Sequence, residues 1–325
     1  MNNLIRPYRQ AANDIIWVLD SNVMVNPGTL ARSVDALLST VKPRRTGLVH
    51  HVPFAFGSGK SLGAKMEEAF LNTNHAKMYI AINTVAIESC VVGKSNLYRR
   101  SDLERVDGSL KRIPSSAENA GPREGRGLPV FGRFLAEDNM IGGALWHELG
   151  LRHDLSCDVA HNVVANMTFS DYVWRRVRWI RVRKHMEFTA TLLEPLTESV
   201  VLSIIGFASL NRLTGIPSWL FYPIHFLLWL LVDLDVYVSL AGHPVPNATC
   251  RDFIGAWAAR EVMALPIWML AMAGSQVEWR GKMYQVLRNG EVSRARQGSA
   301  ATAWFRWLGR QRRKDNYDRL ETDIT

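Results

Sequence analysis

Three short stretches carry side chains suited to chemistry. Asp20 closes the apolar run Ile15-Ile16-Trp17-Val18-Leu19, and a carboxylate at the end of a buried strand is where an open α/β sheet presents a ligand-binding group. Asp20-Ser21-Asn22 also reads as a turn that caps the following helix, and one carboxylate is a weak metal signal, because hard cations such as magnesium take one or two carboxylates plus substrate phosphates. Glu137-Asp138 opens a predicted helix, where the helix dipole favours acidic residues; the functional reading is a general base that takes the proton of an attacking hydroxyl. In Trp174-Arg175-Arg176-Val177-Arg178-Trp179, helical spacing places Arg175, Arg178, Trp179 and Val182 on one face. Guanidinium groups there suit a departing diphosphate, and an interfacial amphipathic helix explains them equally.

The elements that position these residues follow an α/β grammar. The strand ending at Asp20 precedes a helix over Pro27 to Leu38 and a second strand from Val49 to Phe56. Lys60 to Ala81 reads as mostly helical, and Val85 to Leu97 as strand-like with a break at Gly93. Asp107 to Pro129, rich in Gly, Pro, Ser and charge, reads as a surface loop, and a helix opening at Phe134 to Asp138 runs to Gly150. Beyond Leu192 the apolar stretches Leu196 to Leu210, Ile216 to Leu240 and Val262 to Gly274 are membrane candidates; the third is short enough to read as re-entrant. The expected organisation is a cytosolic domain over 1–190, a membrane region with two or three spanning or re-entrant segments over 191–275, and a basic cytosolic tail over 276–325.

The chain holds 39 Lys and Arg against 30 Asp and Glu, a net charge of +9. The basic residues cluster at Arg175 to His185 and Arg306 to Lys314, flanking the apolar stretches, which favours an anionic membrane face over nucleic acid. Cys90, Cys157 and Cys250 are odd in number and widely spaced, so they give neither a disulfide framework nor a zinc site. The opening residues lack the apolar core of a signal peptide. Arg260-Glu261 would put two charges near or within the membrane, as an ion pair, a contact with a lipid acceptor, or a loop pair at the interface.

The order of these motifs resembles that of the ceramide glucosyltransferase family. The resemblance runs through Trp17 to Asn22, Asn74-His75-Ala76-Lys77-Met78-Tyr79, Cys90-Val91-Val92-Gly93, Ala136-Glu137-Asp138, the Arg-x-x-Arg-Trp box at Arg175, Arg178 and Trp179, Arg260-Glu261, and Glu278-Trp279-Arg280-Gly281. It implies a partial A-type, Rossmann-like glycosyltransferase domain followed by C-terminal transmembrane helices. It also implies transfer of glucose from UDP-glucose to the primary hydroxyl of ceramide, with inversion, on the cytosolic face of Golgi or ER. On the same resemblance Asp20 lies near a divalent metal, Mg or Mn, and the diphosphate. Asp138 is the general base, and Arg175, Arg178 and Trp179 engage the diphosphate. His75 falls near the acceptor pocket, although a histidine beside Asn and Lys also reads as a surface residue. Cys90 falls on a family position that a small buried residue also suits.

The family has an N-terminal anchor and first strands, with the nucleotide pocket, that are not seen ahead of Met1, so an N-terminally truncated chain is expected. Lys77 stands where the family commonly has Arg, and the loop at 107–129 looks inserted. Two alternatives are an inactive membrane paralogue or fragment and a processive polysaccharide synthase. Synthases typically carry Gln at the position of Arg175 and more spans.

Overall fold

The computed structural model describes residues 2–109 except 42 and 58, and 125–279, 282–287 and 290–294. The basic run at 306–314, most of the loop at 107–129, and Arg280 and Gly281 lie outside them.

A mixed sheet carries the domain. Its strands are β1 (Ile15–Leu19), β2 (Val23–Met24), β3 (Thr46–Phe56), β4 (Ser95–Arg99) and β5 (Arg152–Val163), in the order β1-β4-β3-β5-β2. β3 and β5 pair in parallel and the other pairs are antiparallel. β3 is buried along nearly its whole length, which is why its sequence is a continuous apolar and aromatic run instead of an alternating one. β5 has no such run: Arg152, His153, Asp154 and His161 interrupt it, and sequence patterning gives it no strand.

Helices α1 (Asn2–Gln10), α2 (Thr29–Leu38), α3 (Leu62–Phe70), α4 (Ala76–Val85), α5 (Arg100–Leu103) and α6 (Glu137–His147) surround the sheet. A single wide turn, Leu71–His75, joins α3 to α4 without a break in direction. The strand expected over Val85 to Leu97 forms only from Ser95. Ala86 adopts a left-handed conformation (φ 52°) that ends α4, and residues 87–94 then cross to α6 as an irregular segment. The apolar character of this segment serves packing and not a ladder, since Val91 is buried against α6.

α7 (Phe169–Met186) begins at a capping box in which Thr168 Oγ1 accepts from the Asp171 N–H and Asp171 accepts from the Thr168 N–H. It is no surface amphipath. Trp179, Val182 and Met186 pack into the core shared by α6 and β4, while Tyr172, Val177 and Ile180 pack with the apolar helices that follow. Those are α8 (Phe188–Leu193), α9 (Ser199–Thr214), α10 (Ser218–Ala241) and α11 (Asn247–Met272).

α10 and α11 are long and apolar enough to cross a membrane; the α8 and α9 pair qualifies as well if its 64° bend is counted as one broken span. The third apolar stretch is the C-terminal part of a longer helix that begins fifteen residues earlier at Asn247 and continues through Pro266, and the bend lies in the first stretch. After α11 the chain does not leave as a tail. β6 (Gln276–Trp279), β7 (Lys282–Val286) and β8 (Val292–Arg294) form a small antiparallel sheet whose Val277 and Val286 enter the same core as Met140 and Val182. Its apolar residues alternate with polar ones too briefly to stand out beside the basic segment that follows.

Candidate active site

The site is built where β1 ends and β4 begins. The two strands are antiparallel, with Leu19 opposite Ser95, so the carboxyl end of one meets the amino end of the other. The Asp20 N–H donates to the Lys94 carbonyl at 3.1 Å, and Lys94 Nζ donates to Asp20 Oδ2 at 2.8 Å, with Asn22 Oδ1 at 3.5 Å. Gly93 precedes this pair and lies against the first turn of α6. A Cβ on Gly93 would stand 2.7 Å from Asp138 Oδ2, so only glycine lets the segment approach the carboxylate this closely. Gly142, one turn further along α6, plays the same part for Val91, whose Cγ2 would stand 2.6 Å from an added Cβ.

Burial, then repulsion from Glu137 and from Asp20, raises the Asp138 carboxyl to about 7, against the opposing hydrogen bond from the Asn139 backbone. Glu137 is raised as well, chiefly by burial. A carboxyl raised this far has the proton affinity that suits a general base.

The segment over α6 is fastened from the other side by Tyr79 of α4. The Tyr79 hydroxyl accepts from the Val92 N–H at 3.2 Å and bonds His50 Nδ1 of β3. His50 is fully buried and held neutral by burial and by the neighbouring His153 and His51. Tyr79 stacks on His75 (centroids 5.7 Å), which meets Phe70 at 5.4 Å. His75 is thus an interior residue and not a surface one. Burial, with Arg176 and Arg183 nearby, lowers it to about 3, and its buried Nδ1 makes no hydrogen bond to any described residue. Cys90 is raised to about 11 by burial, which makes it an inert packing thiol.

The Arg-x-x-Arg-Trp box divides. Arg175 Nε donates to Glu67 Oε1 of α3 at 2.9 Å, whereas Arg178 lies over the rings of Trp179 and Trp279, 5.6 and 4.6 Å from the centroids. Trp179 packs against the core that holds Met140 and Val91. Arg176, outside the expected face, stacks on Phe70 at 3.6 Å. It lines a recess with Phe70, Glu198, Arg260 and Trp268, where α7 meets the apolar helices. Arg260-Glu261 is no loop pair: both are 2% exposed inside α11, and Arg260 bonds Glu261 and Glu198 together. Lys77, the other departure, bonds the buried Asp233 of α10 at 2.7 Å.

The divalent metal implied by the resemblance would rest on Asp20 and the donor's phosphates, and it fits poorly there because Asp20 already carries the Lys94 ammonium.

The sequence singles out Asp20, Asp138 and Trp179, and it gives no sign of the contacts that Lys94, Tyr79 and Gly93 make around them. Gly93 and Tyr79 stood inside quoted motifs, but the antiparallel pairing of β1 with β4 that gives Lys94 its place has no local signal.

A mixed α/β domain with a buried carboxylate beside the end of its sheet, and docked helices long and apolar enough to cross a membrane, suit a membrane-associated glycosyltransferase. The family model described as Glycosyl transferase family 21 matches residues 1–113 and 123–292, and the chain belongs to that family. It is 36% identical over 341 residues to a protein of Komagataella phaffii named Ceramide glucosyltransferase, covering 88% of this chain and 67% of the relative. A protein of the same name from Candida albicans is 30% identical over 388 residues (89% and 71% covered). Ceramide glucosyltransferase 1 of Caenorhabditis elegans is 24% identical over 292 residues (90% and 57% covered).

Proposed function

We propose that this chain transfers glucose from UDP-glucose to the primary hydroxyl of ceramide with inversion at the anomeric carbon. The names of its relatives support the acceptor and the sugar. The observation that carries the chemistry is Asp138, an enclosed carboxylate that titrates at about 7 beside Gly93, Lys94 and Asp20. As the acceptor oxygen attacks the anomeric carbon, its proton passes to Asp138. The bond from that carbon to the diphosphate breaks with its electron pair on the leaving group, and Arg178 stabilises the charge while Trp179 closes the site. Arg175 acts through its pair with Glu67, which fixes the box on α3.

The acceptor enters from the membrane side. A line of contacts runs from the recess through Phe70, His75 and Tyr79 to the Val92-Gly93 backbone over Asp138. His75 lies on that line, with a buried nitrogen suited to an acceptor hydroxyl. We place the domain on the cytosolic face of Golgi or ER. Neither comparison favours the polysaccharide-synthase or inactive-paralogue reading.

The test is glucosylceramide formation in microsomes expressing the protein, given UDP-glucose and ceramide. Asp138→Asn is expected to lose about 100- to 10,000-fold in kcat; equal activity removes Asp138 as the base.

A further inference from the structure

We propose that Lys94 supplies the cationic contact for the donor's leaving diphosphate, in the place where the family resemblance assigns a divalent metal on Asp20, so that transfer proceeds without a tightly bound metal ion. The inference rests on the sugar-nucleotide donor of the reading above.

Three observations carry it. The Lys94 ammonium occupies the Asp20 carboxylate at 2.8 Å, and a divalent cation seeking the same oxygen meets a positive charge already in position. The side chain is 18% exposed and fixed at its root, because Lys94 donates its N–H to the Val92 carbonyl at 2.9 Å and accepts from Asp20 N–H at 3.1 Å. It also follows Gly93, where an added Cβ would stand 2.7 Å from Asp138 Oδ2, so the segment that packs against the proposed base also carries the cation bonded to the strand-end carboxylate. An ammonium has three N–H donors, of which Asp20 takes one and Asn22, at 3.5 Å, at most a weak second. The remaining capacity suits a phosphate oxygen, which lysine binds as a point charge.

The step balances without a further reagent. The acceptor oxygen bonds to the anomeric carbon, the bond to the β-phosphate oxygen breaks with its electron pair on UDP, and the proton goes to Asp138. Lys94 stays protonated throughout and contributes only charge and a hydrogen bond. The bland alternative is a lysine that merely steadies the Asp20 to Asn22 turn; such a lysine would not set metal dependence.

The experiment uses the protein in detergent or nanodiscs, comparing wild type with Lys94→Met and Lys94→Arg. UDP affinity and glucosyl transfer are measured in EDTA and in saturating Mn²⁺, and bound Mn²⁺ is read directly by electron paramagnetic resonance. Wild type is expected to bind UDP in EDTA, to keep most of its transfer rate there, and to show no tightly bound Mn²⁺. Lys94→Met should lose about tenfold or more in UDP affinity in EDTA and gain a Mn²⁺ site that Asp20→Asn abolishes. Lys94→Arg should track wild type. The proposal is overturned if wild type fails to bind UDP in EDTA, or if Lys94→Met matches wild type there. Transfer seen only with Mn²⁺, or Mn²⁺ bound tightly by wild type, also overturns it; should wild type bind UDP in EDTA yet transfer no glucose to ceramide with or without Mn²⁺, the acceptor reading fails and the assignment of Lys94 stands.

Discussion

At the residue scale the site depends on one carboxylate packed closely against a glycine. Asp138 must be ionised to accept a proton, and its carboxyl is raised to about 7, so kcat/KM should fall as pH drops through about 7. The sign reverses for stability: the raised carboxyl penalises the fold once ionised. Asp138→Asn should therefore melt higher than wild type above pH 7, with the gain shrinking toward the ordinary carboxylate range. A pH series of melting curves on the two proteins checks this, and a gain that grows on acidification would contradict the burial of Asp138. Gly93→Ala places a methyl 2.7 Å from Asp138 Oδ2, and the carboxylate must give way. Its kcat should fall about tenfold or more with the KM for UDP-glucose little changed, since the displaced group contacts the acceptor hydroxyl only in the transition state. The carboxylates were legible from their places at the end of an apolar strand and the start of a helix. The glycine contact was not, because Gly93 and Asp138 are 45 residues apart and meet only when the segment after α4 crosses α6.

At the scale of elements, α7 joins the sheet domain to the apolar helices. Its arginines divide the work: Arg175 goes to α3, Arg178 to two indoles, and Arg181 to the end of α11. Arg181 donates to the carbonyls of Leu270 at 3.1 Å and Gln276 at 2.7 Å, and Lys184 donates to Met272 at 3.0 Å. Two cations thus satisfy the carbonyl end of a 26-residue helix, where its dipole is negative. Gly274 permits the approach, since an added Cβ would stand 2.5 Å from Arg181 Nη2. Arg181→Ala should destabilise the detergent-extracted protein by about 2–4 kcal/mol, read as a lower melting temperature, with the KM for UDP-glucose unchanged. The sequence showed the basic run but not its targets. A cluster of cations beside apolar segments reads as a lipid contact, and only packing reveals that several of them face backbone and carboxylates.

At the scale of the whole molecule, the apolar helices are welded to the domain by charge. Lys65 pairs with Asp252 near the start of α11 at 2.6 Å, and Arg181 holds its far end. Lys77 bonds Asp233 of α10, and Asn74 bonds Glu198 at the head of α9. Large apolar side chains elsewhere on α9 and α10, among them Ile204, Leu213, Trp219 and Leu228, remain exposed and suit contact with lipid. With both ends of α11 bonded to one domain, we expect α11 to lie along the membrane face without crossing it, both ends on the cytosolic side. Asn166-Met167-Thr168 and Asn247-Ala248-Thr249 should then carry no glycan, and Cys250 should react with an impermeant maleimide added outside sealed microsomes. Endoglycosidase-sensitive mass at Asn247 would reverse this placement. That apolar helices follow the domain was plain from the sequence, whereas their ion pairs were not, since each joins residues far apart in the chain.

The clamp on α11 also sets an order of events during synthesis. α7 leaves the ribosome about ninety residues before the carbonyls that Arg181 and Lys184 will hold, so a nascent chain carries two cations waiting for a helix not yet made. A ribosome that stops short of Leu270 releases a chain whose sheet is complete but whose latch is open. The junction between α7 and the apolar helices therefore closes only once the last helix is complete.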